Sequence, residues 1–365
     1  MRPAHGERYC AVHNEAAEED RVACPADPRH TVKRSDVERH VKICTATKQQ
    51  VEQEAQDYFK EKANDDRATD SESDETEVVE DDAAAGFALF SDDDDDDVDV
   101  SRFDEDPAAD DEENGVATRA ERHVRQGAKI ASLLEKSITQ CLRDDGKAPP
   151  QRETALMIVD LGGGRGGLAA SCRERFPGAA LRVVDREARR YKFDHALRGG
   201  GDFERIRCDL LHLNLRKVGE DCDLAGVAKH LCGAATDMAL RALVDDPRTK
   251  YVAIATCCHH RCDWDKYVGR DYLRDHNRGR QQFQAMAKLS SWFSAPGFSE
   301  EDTTAEATHT RRKKQILGRR CKRFIDAGRV HYLKRHGFQA KQITYCHTSL
   351  SPENVIIIAT REPHK

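Results

Sequence analysis

The run Asp160-Leu-Gly-Gly-Gly-Arg-Gly-Gly167 limits what this 365-residue chain can fold into more than any other stretch. It follows the apolar segment Ala155–Asp160 and opens the helical one Leu168–Phe176. Read as Asp-x-Gly-x-Gly-x-Gly, it sets Gly162, Gly164 and Gly166 where the backbone must turn sharply and come close to a ligand. Pyrophosphate-binding and methionine-binding turns share this pattern, so the glycines define a strand–turn–helix unit more firmly than they define its ligand.

The rest of the second half repeats that unit. Apolar stretches predict strands near Ala155–Asp160, Ala180–Val184, Arg205–Cys208, Leu224–Ala228, Tyr251–Thr256, Gln339–Tyr345 and Asn354–Ala359. Helical spacing lies between them, near Leu168–Phe176, Arg186–Leu197, Ala234–Val244 and Arg312–His336, and ahead of them over Thr118–Arg143. Such alternation predicts an α/β fold with a doubly wound sheet, parallel apart from its last strand. Residues 263–310 read as a less regular insertion, with Trp264, Trp292 and Phe293 as anchors. Two acids follow at strand ends. Asp185, some 25 residues after Asp160, stands where a carboxylate accepts ribose hydroxyls, and Asp209 stands where it could meet the base of the same nucleoside. Either could instead cap a helix.

Charge divides the chain. Residues 65–113 hold 24 acidic and 2 basic side chains, a local charge of −22, whereas residues 114–365 carry +16. The net −7 therefore conceals a basic body suited to a polyanion such as nucleic acid. A tract this acidic cannot bury itself and predicts a disordered linker. The expected organisation is a Cys/His-rich segment over 1–50, the acidic linker over 51–117 and a catalytic domain over 118–365. No apolar run approaches a membrane span, and the start has no signal-peptide stretch. Thirteen cysteines without an extracellular rhythm favour reduced thiols, metal ligands and an intracellular home, in the nucleus, the cytoplasm or both.

Cys24-x5-His30-x9-His40-x3-Cys44 supplies four zinc-type ligands within about two dozen residues. His40 and Cys44 stand four apart in a predicted helix, Ser35–Ile43, and so face one way. Cys24 and His30 flank the turn Pro25–Pro28, which can fold both toward that face. A module this small lacks the core to fold without a metal, so Zn²⁺ is expected here. Cys10-x2-His13 is either half of a truncated site or inert.

Two further strand ends are chemically loaded: Lys229-His-Leu-Cys-Gly-Ala-Ala-Thr-Asp237 and Thr256-Cys-Cys-His-His-Arg-Cys-Asp-Trp264. Adjacent Cys257-Cys258 and His259-His260 cannot easily all ligate one ion, so a second zinc site is the lesser reading of the latter. The stretches KHLCGAATD, CCHHRCDW and GRRCKRFIDAGRVHYL, with the SPENVIIIA end, resemble the eukaryotic tRNA 2′-O-methyltransferases that modify the fourth nucleotide, in the acceptor stem. The family's N-terminal Cys-His-His-Cys finger matches Cys24, His30, His40 and Cys44 one for one. Its Cys-Cys-Cys-His site just upstream is matched only at Cys10 and His13. The resemblance implies a Rossmann-like class I methyltransferase sheet whose turn Asp160–Gly167, with Asp185 and Asp209, holds S-adenosylmethionine. It also implies that Lys229, His230 and His259 face the methyl group, with tRNA as the partner. No obligate protein partner is evident.

In-line methyl transfer to a 2′-hydroxyl needs that oxygen aligned, partly deprotonated and steadied as it gains charge. Lys229 is the candidate for steadying it, and His259 or His260 for taking its proton. Cys232, Cys257 and Cys258 are expected to line or pack the pocket. Methylation of another RNA or of a protein is the competing enzymatic reading. A zinc-bearing RNA-binding adaptor that has lost activity is the non-enzymatic one, and the intact glycines and acids argue against it.

Overall fold

The computed structural model describes residues 21–65, 118–144, 156–188, 192–294 and 305–362. Cys10, His13 and residues 66–117 of the predicted linker lie outside them. Contacts divide the chain into two units, Met1–Lys60 and Glu61–Lys365.

In the first unit, β1 (Arg21–Cys24) and β2 (Asp27–Lys33) pair antiparallel, with a register shift at Ala23/Cys24. Helices α1 (Val37–Ile43) and α2 (Thr45–Glu54) follow, separated by Cys44 in an extended conformation. Among its described residues only Cys24, Val32 and Cys44 are buried. Three side chains make no core, so a ββα unit of this size needs a cross-link to hold it.

The second unit is built on seven strands. They are β3 (Leu156–Leu161), β4 (Ala180–Val184), β5 (Phe203–Ile206), β6 (Asp223–Cys232), β7 (Thr249–Cys257), β8 (Phe338–Thr344) and β9 (Val355–Arg361), in the order β5-β4-β3-β6-β7-β9-β8. Strands β3 to β7 pair in parallel, and β9 runs antiparallel to both of its neighbours. The expected doubly wound α/β sheet with a reversed last strand is borne out. After β5 the chain returns to the other side of β3 to form β6, so strand order reverses between β3 and β6. Ligands of open α/β sheets bind beyond the carboxyl ends of such strands.

Among the described residues, seven helices belong to the second unit, numbered on from α1 and α2: α3 (Arg119–Asp144), α4 (Gly167–Arg175), α5 (Asp194–Gly199), α6 (Ala234–Asp245), α7 (Arg270–Asp275), α8 (Arg280–Leu289) and α9 (Ala305–Arg335). On one face of the sheet, Ile130 and Leu134 of α3 and Leu168 and Cys172 of α4 pack on Ile158, Val183, Val227 and Ala253. Side chains alternate along a strand, so Gly226 faces the opposite way from Val227. There α6 comes so near that a Cβ at Gly226 would lie 2.3 Å from Leu243 Cδ2. Helices therefore cover both faces.

Three stretches depart from their expected form. The helix predicted over Arg186–Leu197 is confined to Asp194–Gly199 among the described residues, because tertiary bonds fix its start: Phe193 N–H donates to the Arg165 carbonyl at 3.0 Å. The insertion is more ordered than expected, since α7 and α8 pack with α9 around Trp264, Tyr267, Leu273, Phe283 and Phe324. In the first part of the predicted linker, Asn64 is buried, its amide donating to the carbonyls of Leu210 at 2.6 Å and Leu213 at 2.9 Å. No helix among the described residues is long and apolar enough to cross a membrane.

Candidate functional site

The glycine turn closes β3 and starts α4. Gly162, Gly164 and Gly166 have φ of 68°, 53° and 88°, the left-handed region that the Asp-x-Gly-x-Gly-x-Gly spacing implied. A Cβ at Gly162 would strike Leu231 Cδ1 at 2.6 Å, whereas one at Gly164 would meet nothing nearer than Asp185 Oδ2 at 4.0 Å. The middle of the turn thus faces open space. Asp160, at the end of β3, is 1% exposed; one carboxylate oxygen accepts the Ala169 N–H at 3.2 Å, and Oδ1 has no partner among the described residues. Burial pushes its pKa up to about 7, against the Ala169 hydrogen bond and the charge of Lys229. Asp185 accepts the N–H groups of Gly164 at 2.8 Å and Glu187 at 2.7 Å, which ties the end of β4 to the turn. Asp209 caps a short 3₁₀ turn by accepting the Leu211 N–H at 3.0 Å and lies 3.7 Å from Arg186. A tether absent from the sequence reading is Arg205: its guanidinium grips both carboxylate oxygens of Asp194 and donates to the Gly164 carbonyl at 2.7 Å.

Across the switch point, β6 carries Lys229 and His230 against α3. Lys229 Nζ donates to the His123 carbonyl at 2.7 Å, and burial lowers its pKa while Asp160 opposes the shift. His230 is left out of the pairing with β7, where Lys229 meets Ala255 and Leu231 meets Thr256, and its φ is 59°. Such bulges re-aim side chains beside active sites. Its Nε2 lies 3.1 Å from Gln126 Oε1, and burial, then Lys229, pull its pKa down to about 4, so the ring is neutral at pH 7.

His259 lies instead against α9, on a 3₁₀ turn after β7. It is 1% exposed, and its Nε2 stands 3.0 Å from Asp326 Oδ2. Asp326 also accepts Thr256 Oγ1 at 2.7 Å and Arg329 at 2.9 Å, and Arg329 in turn pairs with Asp237 at 2.7 Å. Burial alone would raise Asp326, but His259, Arg329 and the Thr256 hydroxyl beside it hold its pKa down, while burial lowers the pKa of His259 against the pull of Asp326. With Arg319, Lys322 and Thr348, His259 lines a cleft. His260 is exposed on the same turn. The four candidate catalytic residues therefore divide between α3 and α9. The buried partners Asp237, Asp326 and Arg329 escaped the sequence reading, because residues spread over 92 positions show no shared pattern.

In the first unit, Cys24, His30, His40 and Cys44 offer ligand atoms that all lie within 4.8 Å of one another, a group able to hold a metal ion. Cys24 and Cys44 Sγ are 3.8 Å apart, and His30 and His40 Nε2 are 3.0 Å apart. The hairpin supplies the first two ligands, and the end of α1 supplies the others, as their spacing implied. Asp27 approaches the far nitrogen of His30 at 3.8 Å, the place from which carboxylates orient ligating imidazoles. Backbone N–H groups opening α2, that of Thr47 foremost, lower the pKa of Cys44.

The model of the family described as Methyltransferase TRM13 matches residues 133–360, more than half of the chain and nearly the whole sheet. The chain belongs to this family. This TRM13 family member is 27% identical over 467 residues to the mouse tRNA:m(4)X modification enzyme TRM13 homolog, covering 98% of itself and 91% of that protein. To the Saccharomyces cerevisiae tRNA:m(4)X modification enzyme TRM13 it is 25% identical over 428 residues, covering 96% and 88%. Both alignments include the Cys24–Cys44 group, which lies outside the family match. A distant solved structure is that of the plantazolicin methyltransferase BpumL with SAH, at 12% identity and a TM-score of 0.35, covering 77% of this chain and 95% of that one.

Proposed function

We propose that the chain is an S-adenosylmethionine-dependent tRNA 2′-O-methyltransferase acting on the fourth nucleotide, in the acceptor stem, with a structural Zn²⁺ at Cys24, His30, His40 and Cys44. One observation carries the reading. The glycine turn and Lys229 stand side by side at the switch point of a TRM13-family sheet, close enough that Lys229 and Asp160 act on each other's charge. The relatives are named for m(4)X modification of tRNA. The +16 charge of residues 114–365 suits an RNA substrate, which in turn suits action inside the cell, in the nucleus, the cytoplasm or both.

The residues present fit the cofactor. Asp160 offers a buried carboxylate oxygen without a partner among the described residues, which matches the ammonium of a methionine moiety. The open side of Gly164 leaves room for close approach, and Asp185 and Asp209 would meet the nucleoside. S-adenosylmethionine supplies a sulfonium-bound, electrophilic methyl group. Lys229, fixed by the His123 carbonyl, would hold positive charge at the ribose oxygen as that oxygen becomes anionic. His259, whose ring Asp326 orients through Nε2, or His260 on the same turn would take the hydroxyl proton. His230 would border the site without exchanging the proton, since it is engaged by Gln126. In the finger, two thiolates and two imidazoles suit a closed tetrahedral Zn²⁺ that supplies the cross-link its core lacks.

Transcripts that differ in one atom test the reading. A tRNA with a ribose at nucleotide four should accept one methyl group, and the same tRNA with a 2′-deoxyribose there should accept none. Equal labelling of the two would refute 2′-O transfer at that position.

A further inference from the structure

Among the described residues, one group of thiols converges besides that of the finger. Cys232, Cys257 and Cys258 place their Sγ atoms within 4.8 Å of one another, and Cys232 Sγ lies 3.5 Å from Cys257 Sγ. Sequence alone joins Cys257 to Cys258, whereas the fold brings in Cys232, 25 residues earlier. Strands β6 and β7 set Cys232 directly opposite Cys257 in the last pair of their ladder. Cys258 then turns through a left-handed backbone, with φ of 49°, a conformation that cysteine adopts only where its surroundings hold it. The two loops are pressed together at Gly233, where a Cβ would lie 2.2 Å from the Arg261 carbonyl oxygen.

A purely packing role accounts for Cys257, which is 2% exposed, but not for the other two. Cys232 and Cys258 are only half-buried, so the group opens to solvent on one side. Three thiolates around a zinc-like ion, at bond lengths of about 2.3 Å, stand about 3.8 Å apart, which is the separation scale seen here. Soft sulfur donors select d¹⁰ cations over calcium or magnesium. His259 faces Asp326 instead and takes no part in the group, so the fourth position falls to solvent.

We propose that Cys232, Cys257 and Cys258 form a second metal site, for a thiophilic d¹⁰ cation such as Zn²⁺, that clamps the end of β6 to the end of β7. Binding releases the thiol protons to solvent and oxidises nothing. The site joins the strand ends that carry Lys229 and His259, and its existence does not depend on what the enzyme methylates.

Metal content of the full-length chain decides the matter. Protein purified under reducing conditions with added Zn²⁺ and then desalted should hold one zinc more than Cys258→Ser prepared alongside it. Cys232→Ser should lose the same single ion, and Cys44→Ala should lose a different one, so the double variant Cys44→Ala/Cys258→Ser holds none. Cobalt(II) loaded into Cys44→Ala should show thiolate-to-metal charge-transfer absorption that Cys258→Ser removes. Equal zinc in wild type and a folded Cys258→Ser, checked by circular dichroism, would overturn the proposal. So would peptide mapping that finds Cys232 and Cys257 joined as a disulfide in the reduced preparation.

Discussion

Asp160 and Lys229 oppose each other's titration across the switch point, and both are held by the backbone rather than by solvent. The carboxyl at about pKa 7 keeps its proton in the folded protein at pH values where the unfolded chain has lost it. Stability of the ligand-free protein therefore falls as pH rises from about 4 to 7 on account of this group. An ammonium bound at Asp160 reverses the preference, because it needs the ionised form. Cofactor affinity should rise about tenfold between pH 6 and 8, with release of a proton, and Asp160→Asn should flatten that rise; calorimetry in buffers of different ionisation heat measures both. Lys229→Ala should lower single-turnover methyl transfer at saturating cofactor at least a hundredfold, well beyond the weaker cofactor binding that follows from losing its charge beside Asp160. A transfer rate near wild type would remove Lys229 from the chemistry. The positive φ at Gly162, Gly164 and Gly166 was legible from their spacing, and so was the capping that Asp209 performs. The unpartnered oxygen of Asp160 and the bulge at His230 were not, because burial and strand register arise only when β3, β6 and β7 assemble.

At the scale of elements, what holds the glycine turn is a charge pair from elsewhere. Arg205, at the end of β5, ties Asp194 of α5 to the Gly164 carbonyl, and both side chains are largely buried. Arg205→Ala would leave Asp194 without its cation and release the turn. We expect a loss of about 2–4 kcal/mol in urea unfolding and roughly tenfold weaker cofactor binding. Arg205→Lys should recover little of either, since an ammonium cannot reach both partners in a fixed fork. Unchanged binding in Arg205→Ala would show that the turn holds itself. The strands were legible because each is a short apolar run ended by polar or glycine residues. The Arg205 tether was not, since its partners lie 11 and 41 residues away. The basic stretch of α9 shows the opposite limit. Lys313 and Lys314 are exposed, as a phosphate-binding face requires, but Lys322 is buried against Glu353 and Arg323 is 2% exposed, donating to Thr344. Sequence counts charges without showing which are already paired. In the insertion, Phe283, Met286 and Ala287 carried helical spacing, and they pack inward from α8.

The whole molecule joins a small unit whose Cys/His group could hold a metal ion to a TRM13-family sheet, and the charge is divided along the chain unequally. In sequence, residues 65–113 at −22 lie between the Cys/His group and the first strand of the sheet, and the basic excess falls on residues 114–365. Phosphate contacts made by that body should weaken as salt rises, because releasing counterions into a more concentrated solution gains less, so tRNA assays belong at one stated ionic strength. The two-part organisation showed in composition alone, because a ligand cluster, an acidic tract and alternating strands and helices are each local patterns. What no local pattern carried was the pairing of distant strand ends, which sets Lys229 beside Asp160 and His259 beside Asp326. The proposed function turns on one reaction, methyl transfer to a single ribose of tRNA. Purified protein incubated with total tRNA and methyl-labelled S-adenosylmethionine, followed by nuclease mapping of the product, tests it directly. Label is expected as a 2′-O-methyl group on the fourth nucleotide of the acceptor stem, lost with Lys229→Ala; label on a base, at another nucleotide, or absent altogether would refute it.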